Sequence, residues 1–217
     1  MPRGKAPSFD RQRAAILRAA VQLFAQTGFT QTSMADLARS CGVSKALLYH
    51  YYRDKGHLLL DAADSYLDRL ITVADEVRDR KLPPDEHLRA LISSFMQEYE
   101  HSQAQHMVLV QDVKHLSSTE QAHVIAKQRR VVKAFAQAIA ALEPRLRGKA
   151  LRAPLAMILF GMINWTFTWL RPEGPLTYAD MADIVAEIFL HGVAEPRAQS
   201  ETDPVRRRVV SRNGAPA

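Results

Sequence analysis

The stretch Ser33–Lys55, SMADLARSCGVSKALLYHYYRDK, restricts the possible folds of this chain more than any other. Ser33 has Asp36 three residues after it, the spacing of a capping box at a helix start. Met34, Leu37, Ala38 and Cys41 then recur on one side, and Gly42 closes the helix. Val43 fills the turn, Ser44 caps a second helix, and the spacing predicts Leu47, Leu48 and Tyr52 inward with Lys45, Tyr49 and Tyr51 outward. Helices of two turns are not stable alone in water, so a further helix must hold this pair. The preceding residues supply it: Ile16, Leu17, Ala20, Leu23 and Phe24 form an apolar stripe on a helix starting near Ser8 or Asp10 and ending at Thr27-Gly28.

Two short helices held at an angle, the second with a basic and aromatic outer face, suit double-stranded DNA. A helix lying in the major groove presents its N-terminal residues to base edges, while cations and hydroxyls around it bind phosphates. Lys45 is the expected base contact, with Ser44 and Ala46 beside it. Tyr49, His50, Tyr51 and Lys55 are expected at phosphates, as is Thr32 or Ser33 at the start of the first short helix. The charge distribution agrees. Lys and Arg number nine against three acids over residues 1–60, fifteen against eighteen over 61–196 and five against two over 197–217, giving +6, −3 and +3. A basic head on a mildly acidic body directs only the head to a polyanion.

Composition narrows the remainder. One cysteine among 217 residues rules out a disulfide framework and a thiolate zinc site, and the expected compartment is the reducing cytoplasm. The first residues, MPRGKAPSFDRQR, lack the apolar core of a secretory signal. The apolar run Leu155–Leu170 is shorter than the roughly 20 residues that span a bilayer and contains Gly161 and Asn164, so a buried helix is expected and no membrane partner. His101, His106, Asp112 and His115 lack the spacing of a metal-binding pair. No GxSxG elbow or glycine-rich phosphate loop occurs, which argues against an enzyme.

Helical periodicity continues to residue 196, so the expected fold is all-α. A fourth helix is expected from Asp54 to about Arg80, broken by Lys81-Leu82-Pro83-Pro84. The next is capped by Asp85, and a shorter amphipathic piece covers 101–116. A long helix opens at Ser117 with Glu120 and runs to about Leu142; the last two cover about Leu151–Leu170 and Thr177–Gly192. Apolar residues occupy every face of the penultimate helix, from Met157 to Trp169, and a second copy of the chain would cover what its own body leaves bare. The organisation expected is a head over 1–54, a body over 55–196 and a disordered Arg-, Ser- and Pro-rich tail over 197–217.

The pattern Thr32-Ser33-Met34-x-x-Leu37-Ala38, Cys41-Gly42-Val43-Ser44-Lys45-x-x-Leu48-Tyr49-x-Tyr51-Tyr52-x-x-Lys55 resembles the TetR family of transcriptional regulators, whose members commonly carry phenylalanine where this chain has Tyr52. The resemblance implies a helix-turn-helix head, a homodimer formed by the last two helices, operator DNA as partner, no cofactor, and a small-molecule effector bound in the body. The segments Gln111–Leu116 and Gly161–Leu176 narrow it to the branch that answers to coenzyme A thioesters, nearest the phenylacetate-type regulators. That narrower resemblance implies an effector site built from Met107, Phe160, Gly161, Asn164, Trp165, Thr168 and Trp169. Arg129 and Arg130 are the expected partners of effector phosphates. The rival readings are a regulator of the same family sensing another hydrophobic ligand, as in efflux or stress control, and a DNA binder with no ligand at all.

Overall fold

A computed structural model describes residues 7–142, 150–171 and 173–194. Helix starts in which Ser or Thr precedes an acid by three residues are closed in it by reciprocal bonds. The Ser33 Oγ accepts from Asp36 N at 3.2 Å while an Asp36 carboxylate oxygen accepts from Ser33 N at 3.2 Å. Ser117 with Glu120, at 3.3 and 3.0 Å, and Thr177 with Asp180, at 3.1 and 2.8 Å, repeat the pattern. Each box satisfies two N–H groups that a helix start leaves open.

The described residues form nine α-helices and no strand: α1 (Pro7–Thr27), α2 (Met34–Ser40), α3 (Lys45–Tyr51), α4 (Lys55–Asp79), α5 (Pro84–His101), α6 (Gln103–Asp112), α7 (Ser118–Leu142), α8 (Arg152–Asn164) and α9 (Tyr178–Ala194). Asp54 is the N-cap of α4, its carboxylate accepting from His57 N at 2.8 Å. At 25 residues, α4 is roughly 37 Å long, and it carries the head of α1–α3 at one end and the body along the rest. In the body α4 packs on α5, α6 and α7, α7 packs on α8, and α9 lies along α5, while α1 reaches back to α6. Buried side chains form one cluster from Ile16 to Leu190, so head and body share a continuous core. Among the described residues no helix is long and apolar enough to cross a membrane.

Several expectations are corrected. Asp85 does not cap α5: Pro83 stands at the cap position without a side-chain bond, Pro84 opens the helix, and Asp85 lies in its first turn. Leu47 is exposed, because a two-turn helix resting on Leu48 and the following Tyr52 has no third inward position. The helix expected to run to Leu170 stops at Asn164, and a 3-10 turn, Thr166–Thr168, replaces its last turn. In α9 a buried row, Met181, Val185 and Phe189, stands beside an exposed pair, Ile184 and Ile188. Pro144 and the tail 197–217 lie outside the described residues.

Candidate nucleic-acid interface and effector cavity

Glycine geometry shapes the head. Gly28 has φ +85 and Gly42 φ +64, left-handed values that a side chain resists, and they allow α1 to turn into α2 and α2 into α3. After Gly42, Val43 N bonds back to Ala38 O at 3.0 Å, and Ser44 Oγ accepts from Leu47 N at 3.1 Å to start α3. Leu48 and Tyr52 are buried, which leaves Lys45, Ala46, Tyr49 and His50 exposed together, with the Lys45 ammonium 6.0 Å from the Tyr49 ring centroid. Ser44 is exposed at the start of the same face, whereas Tyr51 is half-buried against Phe9, ring centres 4.6 Å apart.

One carboxylate anchors this face. Asp61 on α4 accepts from the Tyr52 hydroxyl at 2.5 Å and from Arg13 Nη2 on α1 at 2.7 Å, joining three helices at one point. The hydroxyl that distinguishes Tyr52 from phenylalanine is therefore used, and burial with Asp61 beside it pushes the phenol far above its ordinary pKa. Asp36 is held below the ordinary carboxylate range by its bonds from the Ser33 side chain and backbone.

Two expected phosphate ligands are committed to the fold. Thr32 is buried, its hydroxyl bonding Gly28 O at 2.8 Å and Thr27 Oγ1 at 2.9 Å. The Lys55 ammonium donates to Phe29, Thr30 and Thr32 carbonyls at 2.8, 3.2 and 3.1 Å and lies 4.5 Å from the Phe29 ring centroid. An ammonium has three donors. All of them hold the α1–α2 loop, so Lys55 is a clamp and not a free cation. Ser33, by contrast, is exposed at the α2 start.

In the body a cavity of about 290 Å³ opens between α4, α5, α6, α7 and α8. Leu67, Leu70, Leu109, Val131 and Phe160 make it apolar, and Phe160 packs on Phe135, which packs on Phe95, at ring separations of 4.7 and 4.8 Å. Its polar side is a network. The Tyr99 hydroxyl donates to Asn164 Oδ1 at 2.7 Å, and His106 Nε2 bonds Asn164 O at 3.1 Å. The Tyr66 hydroxyl stands 3.5 Å from His106 Nδ1, and the Tyr99 and His106 rings stack 4.0 Å apart. A carbonyl only accepts, so Nε2 carries the proton and Nδ1 is the acceptor. Burial pushes His106 down to about 4, which keeps it neutral at pH 7. Among the described residues nothing accepts a hydrogen bond from the Asn164 NH2.

Of the expected effector residues, Phe160, Asn164 and Arg129 line this cavity. Arg130 faces away and binds Asp75 at 3.1 Å, since neighbours on a helix point about 100° apart. Trp165 and Trp169 do not share a helical face: with α8 ended at Asn164 they stand on either side of the 3-10 turn, 60% and 51% exposed. Neither they nor Met107, Gly161 and Thr168 line the cavity. Trp165, Ile158, Ile184 and Ile188, with Met157 at the cavity edge, are exposed apolar residues of α8, its end and α9. The residues missed are Tyr99 and His106. Their signal was helical spacing: Tyr99 continues the stripe of Phe95, and His106 stands three residues before Leu109. Among the described residues no group of three His, Cys, Asp or Glu is arranged to hold a metal.

Comparison with known proteins supports both halves. Residues 16–62 match the family model described as bacterial regulatory proteins, tetR family, and residues 81–193 match tetracyclin repressor-like, C-terminal domain. The HTH-type transcriptional repressor KstR2 of Mycolicibacterium smegmatis is 24% identical over 189 residues, 85% of this chain and 91% of that protein. The crystal structure of a TetR-family transcriptional regulator from Bordetella parapertussis superposes with a TM-score of 0.78 at 30% identity, covering 82% of this chain and 93% of that one. AibR, crystallised with isovaleryl coenzyme A and operator DNA, superposes with a TM-score of 0.75 at 26% identity over 82% and 98% of the two chains. With both models matched in order, the second over more than half its length, this chain belongs to the TetR family of transcriptional regulators.

Proposed function

We propose that the chain is a ligand-responsive repressor that binds operator DNA as a homodimer and is released by a coenzyme A thioester. The observation that carries the reading is the cavity. About 290 Å³ is at the lower end for small-molecule sites, enough for a short acyl or phenylacetyl group and too little for a nucleotide as well. An apolar wall suits the acyl group, and the Asn164 NH2 is a neutral donor for a thioester carbonyl. Arg129 stands where a phosphate outside the cavity would meet it. That AibR was crystallised with an acyl-coenzyme A and operator DNA is consistent with this assignment.

Lys45, with Ser44 and Ala46, reads base edges, while Ser33, Tyr49, His50 and Tyr51 border the phosphates. The exposed apolar residues of α8 and α9 form the two-fold interface, which sets the recognition helices about one DNA turn, ~34 Å, apart. Ligand binding releases DNA only by favouring a different spacing, and a complete shift requires on the order of 5 kcal/mol of differential affinity. The DNA-bearing compartment, the cytoplasm, is where such a dimer acts.

Fluorescence anisotropy on the DNA upstream of the gene tests the reading. Phenylacetyl- or isovaleryl-coenzyme A is expected to release the protein and the free acids are not. Equal release by acid and thioester overturns the thioester assignment. Release by an uncharged hydrophobic compound alone favours a regulator of efflux or stress. An Asn164→Ala variant is expected to keep DNA binding and lose most of the thioester response.

A further inference from the structure

A charged recess in the body lies on the other side of α7 from the apolar cavity. It is about 440 Å³, set between the end of α4, the start of α5 and the C-terminal half of α7. Ala74, Leu91 and Ala138 give it a buried apolar floor. Around the rim stand Arg78, Lys81, Arg130 and Lys133. These are four of the fifteen Lys and Arg in residues 61–196, gathered at one opening in a region whose net charge is −3.

We propose that this recess is a second ligand site, for a small molecule with a phosphate head and a flat or apolar body, a nucleoside diphosphate being the simplest case. Asp75 is the acid lining it, and its charge is already taken up by Arg78 at 2.5 Å and Arg130 at 3.1 Å. Arg78 is further tied to Asp79 at 3.0 Å. Lys81 and Lys133 are exposed and have no carboxylate partner among the described residues, so two ammoniums stand at a rim where two guanidiniums are held in place. Attraction of cations to a helix C-terminus accounts for Arg78 and Lys81 at the end of α4. It does not account for Arg130 and Lys133, which sit mid-helix on α7. Lys81 also holds φ +52, a left-handed conformation usually left to glycine or asparagine, at the edge of the recess.

The two cavities use opposite sides of one helix: Arg129, Val131 and Val132 of α7 face the first, and Arg130, Lys133 and Ala134 the second. This assignment is independent of the thioester reading. Occupancy would change the ties between α7 and α4 at Asp75.

Isothermal titration of the full-length chain with adenosine, pyrophosphate and ADP tests it. ADP is expected to bind, adenosine not, and pyrophosphate more weakly than ADP. Lys81→Glu with Lys133→Glu is expected to weaken ADP at least about tenfold with an unchanged melting temperature. Ala134→Leu, which fills the recess, is expected to weaken ADP and spare pyrophosphate. Absence of ADP binding, or ADP binding indifferent to the paired reversal, overturns the site. Indifference to Ala134→Leu overturns the insertion of the ligand body. Displacement of ADP by an acyl-coenzyme A would make the recess the nucleotide end of the first ligand and overturn a second site.

Discussion

The turn between α2 and α3 and the turn after α8 both follow a helix end, yet they are held in different ways. The first is closed by its own residues: Gly42 at φ +64, Val43 N to Ala38 O, and Ser44 capping Leu47. The second has local bonds as well, Thr166 Oγ1 to Ile163 O and Thr168 Oγ1 to Trp165 O, but is also tied from elsewhere. Asn164 receives Tyr99 of α5 through its side chain and His106 of α6 through its carbonyl. Locally closed turns keep their geometry whatever the body does, which suits a reading head. A turn held by distant side chains in a cavity wall changes when those side chains find another partner, which suits a sensor.

Ile158→Arg with Ile188→Arg places charge on the exposed apolar face of α8 and α9, and the protein is expected to sediment as a monomer. Operator affinity should then fall by about 1,000-fold or more, to the level of nonspecific binding. Unchanged sedimentation would detach that face from assembly.

His106 gives the next effect. Its folded pKa, about 4 against 6.5, lies below the unfolded value, so the unfolded state takes up a proton first as pH falls. The contribution is complete above about pH 6.5 and is lost between there and pH 4, about 3 kcal/mol in all. Urea midpoints at pH 7 and 4.5 should differ less in His106→Gln than in the native chain. An equal difference would remove His106 from the network that holds Asn164.

The head variants are expected to act more mildly and to separate reading from holding. Lys45→Ala should cost about 1–3 kcal/mol of discrimination between operator and scrambled DNA. Lys55→Met should lower the stability of the head by about 2 kcal/mol and leave the salt slope of DNA binding unchanged. A reduced slope would return Lys55 to the phosphates. Ser33→Ala is expected to cost about 1 kcal/mol in thermal unfolding, the loss of one cap.

The same contrast explains what could be read from residues alone. The boxes at Ser33, Ser117 and Thr177 were legible because donor and acceptor are three residues apart, and Asp54 at the start of α4 for the same reason. Lys55 was misread because its partners are carbonyls 23 to 26 residues away, and a carbonyl has no residue type. The end of α8 differs from expectation because periodicity runs through Trp165 and Trp169 unbroken, while the Thr166 and Thr168 hydroxyls bond back to Ile163 O and Trp165 O and His106 of α6 takes the Asn164 carbonyl. Phe160 and Asn164 line the apolar cavity, since both precede that break; the tryptophans follow it.

The bonds to Asp61 have a mechanical consequence. With Tyr52 and Arg13 fastened to one carboxylate near the base of α4, the head has no free swivel and must turn with that helix. A rod roughly 37 Å long converts a tilt of ~6° into a displacement of ~4 Å at its tip, more than the rise of one base pair. Rotation of the connector is thus read out on DNA as a register error, and the carboxylate junction, together with the continuous core beneath it, sets how little rotation is enough.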